Sequence, residues 1–172
     1  THQNLKIMKK LLLFIVGIIS VVTYGQDGSP DLSFGTEGVV TTDIENSEEL
    51  LSSVVQQNDQ KLIVSGITSI NNNLSKPYLV RYMPDGSLDS SFGNNGILVA
   101  DYAEGYCEHV NLFLDEEQNI LTGGKFSNSQ SQTYKIAKYN ANGELINSFG
   151  TNGVLTIPNG NFAKMLVLAD NS

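Results

Sequence analysis

Asp85-Gly86-Ser87-Leu88-Asp89-Ser90-Ser91-Phe92-Gly93-Asn94-Asn95-Gly96 is the middle one of three related strings in this chain. Upstream, Asp27-Gly28-Ser29-Pro30-Asp31-Leu32-Ser33-Phe34-Gly35 runs on to Gly38. Downstream, Asn142-Gly143-Glu144-Leu145-Ile146 leads to Phe149-Gly150 and Gly153. The phenylalanines lie 58 and 57 residues apart. A fixed period of that size marks tandem copies of one supersecondary unit, each of which needs a neighbour to cover its apolar face.

Aligned on Phe-Gly, the copies match segment by segment. A short β-branched run opens each unit: Val39-Val40-Thr41-Thr42, Ile97-Leu98-Val99-Ala100 and Val154-Leu155-Thr156-Ile157. Next come Val54-Val55-Gln56 or Leu112-Phe113-Leu114, then the polar turns Gln57-Asn58-Asp59-Gln60 or Asp115-Glu116-Glu117-Gln118. The chain returns through Leu62-Ile63-Val64 or Ile120-Leu121-Thr122, and then through Leu79-Val80-Arg81-Tyr82 or Ile136-Ala137-Lys138-Tyr139. Asn46-Ser47-Glu48-Glu49 carries a helix-cap pattern. Its counterpart, Glu104-Gly105-Tyr106-Cys107-Glu108, is a poor helix, so both are read as loops entering strands.

The expected fold is therefore all-β: tandem four-stranded antiparallel blades of about 58 residues, forming a partial β-propeller that belongs to a larger one. A β-sandwich of hairpins is the alternative. Phe34, Phe92 and Phe149 are expected to pack between adjacent sheets. Gly28, Gly35, Gly38, Gly86, Gly93, Gly96, Gly143, Gly150 and Gly153 are expected to permit the bends around them.

Charge is unevenly placed. Lys6, Lys9 and Lys10 precede the apolar run Leu11–Val22, and every acidic residue follows it, leaving seven basic against 18 acidic residues beyond Gly25. So acidic a region repels phosphate backbones, which excludes nucleic acid as a partner. Met8-Lys9-Lys10, the apolar run and Thr23-Tyr24-Gly25 have the three-part form of a secretory signal. The run is too short to span a bilayer, which needs about 20 apolar residues. Residues 1–25 are thus read as upstream residues plus a signal peptide starting at Met8. Residues 26–172 are read as the exported repeat region, about two and a half blades that stop at the tip of a hairpin near Leu166-Val167-Leu168. An extracellular, cell-surface or periplasmic location follows, with no membrane span in the mature protein.

Chemistry-bearing candidates are few. Asp85 and Asp89, like Asp27 and Asp31, place carboxylates four apart around glycine and suggest calcium. The third copy has Ile146 in place of the second carboxylate, and turn-capping explains all three copies. Cys107 is the single cysteine. With His109 two positions on it would share a strand face, yet no third orienting group accompanies the pair. Glu48-Glu49 and Glu116-Glu117 read as solvated charges, and Asn73-Leu74-Ser75 is a glycosylation triplet. No motif calls for a cofactor, and no catalytic residue is assigned.

The Asp-Gly-Ser-x-Asp-x-Ser-Phe-Gly string resembles the delta-60 repeat, and the resemblance covers nearly all of the chain beyond Gly25. It implies bacterial exported proteins with β-propeller-like blades, many repeats in a large surface or secreted protein, and often a C-terminal sorting domain. It implies no catalytic residues. The expected function is a non-catalytic binding or scaffold module whose partners are a protein or glycan ligand and further repeats or domains of the same chain. A propeller enzyme acting on extracellular polysaccharide is the alternative, and would need two convergent carboxylates.

Overall fold

The computed structural model describes residues 28–44, 47–71, 74–102, 105–129 and 131–158. The predicted signal segment and Leu166-Val167-Leu168 lie outside them. Every regular element among the described residues is a strand: β1 (Glu48–Gln56), β2 (Leu62–Asn71), β3 (Leu74–Tyr82), β4 (Ile97–Val99), β5 (Tyr106–Leu114), β6 (Ile120–Ser127), β7 (Gln132–Tyr139) and β8 (Val154–Pro158). They form two four-stranded sheets in chain order, β1-β2-β3-β4 and β5-β6-β7-β8, with every neighbour pair antiparallel. The expected all-β fold of tandem four-stranded blades is what the chain adopts.

The hairpin turns follow from their polar residues. Gln60 N–H donates to the Gln57 carbonyl at 2.9 Å, and Gln118 N–H to that of Asp115 at 3.0 Å. Asn46 lies outside the described residues, and β1 begins at Glu48, so the cap-like stretch enters a strand and not a helix. Both first strands carry a register shift partway along, between Leu51 and Ser53 and between Cys107 and Val110.

Two expectations need correction. The run after each Phe-Gly string closes a sheet rather than opening one. Ile97, Leu98 and Val99 pair with Val80, Leu79 and Tyr78, because the turns between β3 and β4 fold the chain back on itself. Val39-Val40-Thr41-Thr42 is also not a strand. Its single ladder contact is the bridge Thr36↔Val39, since the third strand that would hydrogen-bond it is not among the described residues.

The core lies between the sheets. Ile63, Leu79 and Phe92 from the first blade meet Leu112, Ile120, Ala137 and Tyr139 from the second, with Leu98, Tyr102 and Val154 at the margin. Ile67, Cys107, Val110 and Phe126 continue it toward the other end. The outer face of the first sheet carries Tyr78, Val80 and Tyr82, covered in part by Val40 and Ile44. Side chains therefore alternate between two buried faces, as a sheet sandwiched in a stack of blades requires.

Candidate functional site

The up-and-down topology puts the turns 57–61, 83–96, 115–119 and 140–153 at one end of the blades. There the blades are joined, with Asn58 N–H donating to Gln118 Oε1 at 2.8 Å. This end holds most of the residues singled out by sequence, and among the described residues it is where the buried charged groups, Arg81 and Asp89, lie.

Asp89 sits at its centre. The bridge Tyr82↔Leu88 returns the chain beneath β3, and Asp89 N–H donates to the Arg81 carbonyl at 2.9 Å. Asp89 Oδ1 accepts from Ser91 N–H at 3.0 Å and from Ser91 Oγ at 2.6 Å. Asp89 Oδ2 accepts from Arg81 Nε at 2.8 Å and lies 3.1 Å from Lys61 Nζ. Arg81 is only 3% exposed. Its Nη2 donates to Ser91 Oγ at 3.1 Å, its Nη1 donates to the Ala141 carbonyl of the second blade, and its guanidinium lies 4.7 Å from the centre of the Phe92 ring. Burial by itself would raise the Asp89 carboxyl. The Ser91 hydroxyl and N–H, Lys61 and Arg81 outweigh it and hold the group well below its usual range. Asp89 in turn raises Lys61 against the opposing effect of burial. A carboxylate so fully engaged is a poor proton acceptor and a poor cation ligand; it works as a clasp within its blade, fixing Arg81, whose guanidinium carries the contact to the second blade.

The second blade solves the same problem differently. Ile146 stands in the place of Asp89 and Lys138 in that of Arg81, and Lys138 Nζ pairs with Asp115 Oδ2 at 2.9 Å. Asp115 occupies the position of Gln57, a buried residue whose Oε1 has no partner among the described residues. The anion has moved from the fourth-strand turn to the hairpin turn while the cation stayed in the third strand. Sequence reading missed Arg81, Lys61, Asp115 and Lys138. The signal was available: Arg81 and Asp89 change together, to Lys138 and Ile146.

The repeat residues are placed as follows. Phe92 is fully buried, while Phe34 and Phe149 are half-buried. Gly28, Gly35, Gly38, Gly86, Gly93, Gly96, Gly143, Gly150 and Gly153 all have positive φ. At Gly143 the constraint is double, because with φ +87° an added Cβ would also lie 2.8 Å from the Phe92 ring. Gly35 N–H donates to the Asp85 carbonyl at 2.8 Å, and Gly93 N–H to that of Asn142 at 3.5 Å, the same link at two successive junctions. Asp85 Oδ1 accepts from Ser87 N–H and Oγ, at 2.9 and 2.6 Å, and Asp31 does likewise with Ser33.

The remaining candidates are not brought into a site. Cys107 is completely buried, its N–H donating to Ser75 Oγ at 2.7 Å. Ser75 is buried too, and Asn73, the acceptor of the glycosylation triplet, lies outside the described residues. The side chain of His109 lies outside the described residues. Glu49 Oε1 accepts from Ile44 N–H, and Glu117 Oε2 from Asn119 Nδ2, so both serve local loops. Among the described residues no three His, Cys, Asp or Glu side chains cluster as metal ligands would.

Residues 57–92 and 119–149 each match a family model described as a domain of unknown function (DUF5122) beta-propeller. No curated protein and no solved structure matches the chain. The two matched stretches begin at the hairpin turns and end at Phe92 and Phe149, one in each sheet. Sheets and sequence match agree that this chain folds as β-propeller blades, of which the described residues form two.

Proposed function

We propose that this chain is an exported, non-catalytic β-propeller module that binds a protein or glycan, or scaffolds such binding, as part of a larger surface or secreted protein. The observation that carries the reading is the pairing at the turn end. Asp89 is spent on Arg81 and Lys61, Asp115 on Lys138, and Asp31 and Asp85 on their own serines. Acid–base chemistry on a polymer needs two carboxylates free to face one bond. Here each carboxylate is used inside its own blade, on a strand or turn cation or on a turn serine, leaving exposed polar turns as a recognition surface. The Asp-Gly-Ser-x-Asp-x-Ser-Phe-Gly string supports the finer assignment to delta-60 repeat proteins. The Met8-Lys9-Lys10 start and the run Leu11–Val22 support export.

Two measurements test this. Expression from Met8 in a bacterial host should place the protein outside the cytoplasm, with Gln26 as its first residue; cytoplasmic retention with Met8 intact refutes export. Incubation of the complete gene product with soluble polysaccharides should release no reducing ends, and steady turnover would replace the binding reading with an enzymatic one.

A further inference from the structure

In an Asn-Gly pair the asparagine amide is open to attack by the main chain, because glycine has no Cβ to shield the nitrogen that follows. The sequence has four such pairs, at Asn95, Asn142, Asn152 and Asn159, the last outside the described residues. The other three asparagines are exposed, in turns at the same end of the blades. They differ in what holds the next nitrogen. Gly96 N–H donates to the Phe92 carbonyl at 2.8 Å, and Gly143 N–H to that of Asn140 at 3.0 Å. Gly153 N–H has no main-chain acceptor among the described residues.

The repeat supplies its own control for Asn152. Asn95 and Asn152 hold equivalent positions and share a φ of 52°. Asn94 and Thr151, which precede them, make the same doubly bonded bridge, to Ile97 and Val154. Local shape is therefore alike, and the hydrogen bond on the glycine nitrogen is what separates the two. The first copy has Glu37 at this position, at φ 55°, so the backbone there already carries a carboxylate.

We propose that Asn152 is a site of spontaneous deamidation that ages the second blade. The Gly153 nitrogen attacks Asn152 Cγ and forms the new N–Cγ bond of a succinimide. The Cγ–Nδ2 bond breaks, and Nδ2 leaves as ammonia with the proton given up by Gly153. Water then opens the ring at either carbonyl, giving aspartate or isoaspartate; it is the sole co-reactant, and nothing is oxidised or reduced. Aspartate repeats what Glu37 does in the first copy. Isoaspartate instead inserts the side-chain methylene into the main chain directly before Gly153. That glycine is buried, and its carbonyl accepts Lys138 N–H at 3.0 Å. A Cβ on it would lie 2.8 Å from Leu145 Cβ, so the lengthened chain has no room in place and the bond to β7 is lost. The inference is independent of what the propeller binds.

The full chain is incubated in mildly alkaline buffer, and each Asn-Gly pair is followed by peptide mapping with mass spectrometry, with an isoaspartyl methyltransferase marking isoaspartate. Asn152 should convert about fivefold faster than Asn95 or Asn142, the ratio that one net hydrogen bond contributes. In denaturing urea the three rates should converge. In the aged folded chain the Lys138 amide should lose hydrogen-exchange protection, while Arg81, whose N–H donates to the Gly96 carbonyl at 2.9 Å, keeps it. An Asn152→Asp chain should keep protection at both. Equal rates in the folded chain, Asn95 or Asn142 reacting first, or a preference for Asn152 that persists in urea would overturn the proposal. Full protection of Lys138 in isoaspartate-bearing chains, or its loss in Asn152→Asp, would overturn the assigned consequence.

Discussion

Replacing Asp89 by isoleucine, the residue the second blade carries at that position, removes the anion from a guanidinium that is 3% exposed. Arg81 would keep Ser91 Oγ, the Ala141 carbonyl and the Phe92 ring, but lose its 2.8 Å carboxylate partner. An uncompensated buried charge costs about 3–5 kcal/mol. That is a large share of a domain's usual total of about 5–15 kcal/mol. The second blade also supplies the remedy. Gln57→Asp puts a carboxylate at the position from which Asp115 holds Lys138 at 2.9 Å. Added to Asp89→Ile, it should restore about 1.5–3 kcal/mol, the range for a hydrogen bond to a charged group. Urea unfolding is the assay, followed by far-UV circular dichroism and by fluorescence of the seven tyrosines, since the chain has no tryptophan. A loss below about 1 kcal/mol for Asp89→Ile would show that the clasp contributes little. Equal effects of Gln57→Asp with and without Asp89 would show that the two anion positions are not alternatives.

Phe92→Ala should cost about 3–5 kcal/mol in the same assay, because that ring is completely buried. Phe34→Ala should cost clearly less, its ring being half-buried, and equal losses would contradict the assigned packing. Gly143→Ala combines φ +87° with a Cβ 2.8 Å from the Phe92 ring. A cost of about 1–3 kcal/mol is expected in thermal or urea unfolding, and a neutral result would refute the close contact. Asp89 and Asp115 are both held below the ordinary 3.8, so the stability they confer is present above that value and lost as pH falls beneath it. Urea midpoints measured from pH 7 downward should drop below 3.8, and Asp89→Asn should flatten that drop; an unchanged slope would argue against the clasp.

The blade repeat was legible because three strings with Phe-Gly at a constant period survive without any partner to compare. Strand phase was not. The run at Ile97 looks like the start of a unit because it follows a glycine turn, yet a β-strand belongs to whichever neighbour it hydrogen-bonds, here the strand before the turn. Val39-Val40-Thr41-Thr42 has the composition of a strand and lacks one among the described residues because propensity cannot supply a ladder. The charged clasp escaped for a related reason. Arg81 and Lys61 carry no pattern in the sequence that joins them to Asp89, and only the fold brings both within 3.1 Å of it. Reading the aspartates as turn caps accounted for Asp31 and Asp85, and for one oxygen of Asp89, without revealing what sits on the other.

The links from Gly35 to the Asp85 carbonyl and from Gly93 to the Asn142 carbonyl run from main chain to main chain. A seam of that kind is blind to which side chain the acceptor turn carries, and aspartate and asparagine already serve it interchangeably. Copies of the unit are thus free to drift in their outward-facing loops, or to be added by gene duplication, without the connection between them having to be reinvented. Such an array can vary what it displays while keeping how it is joined.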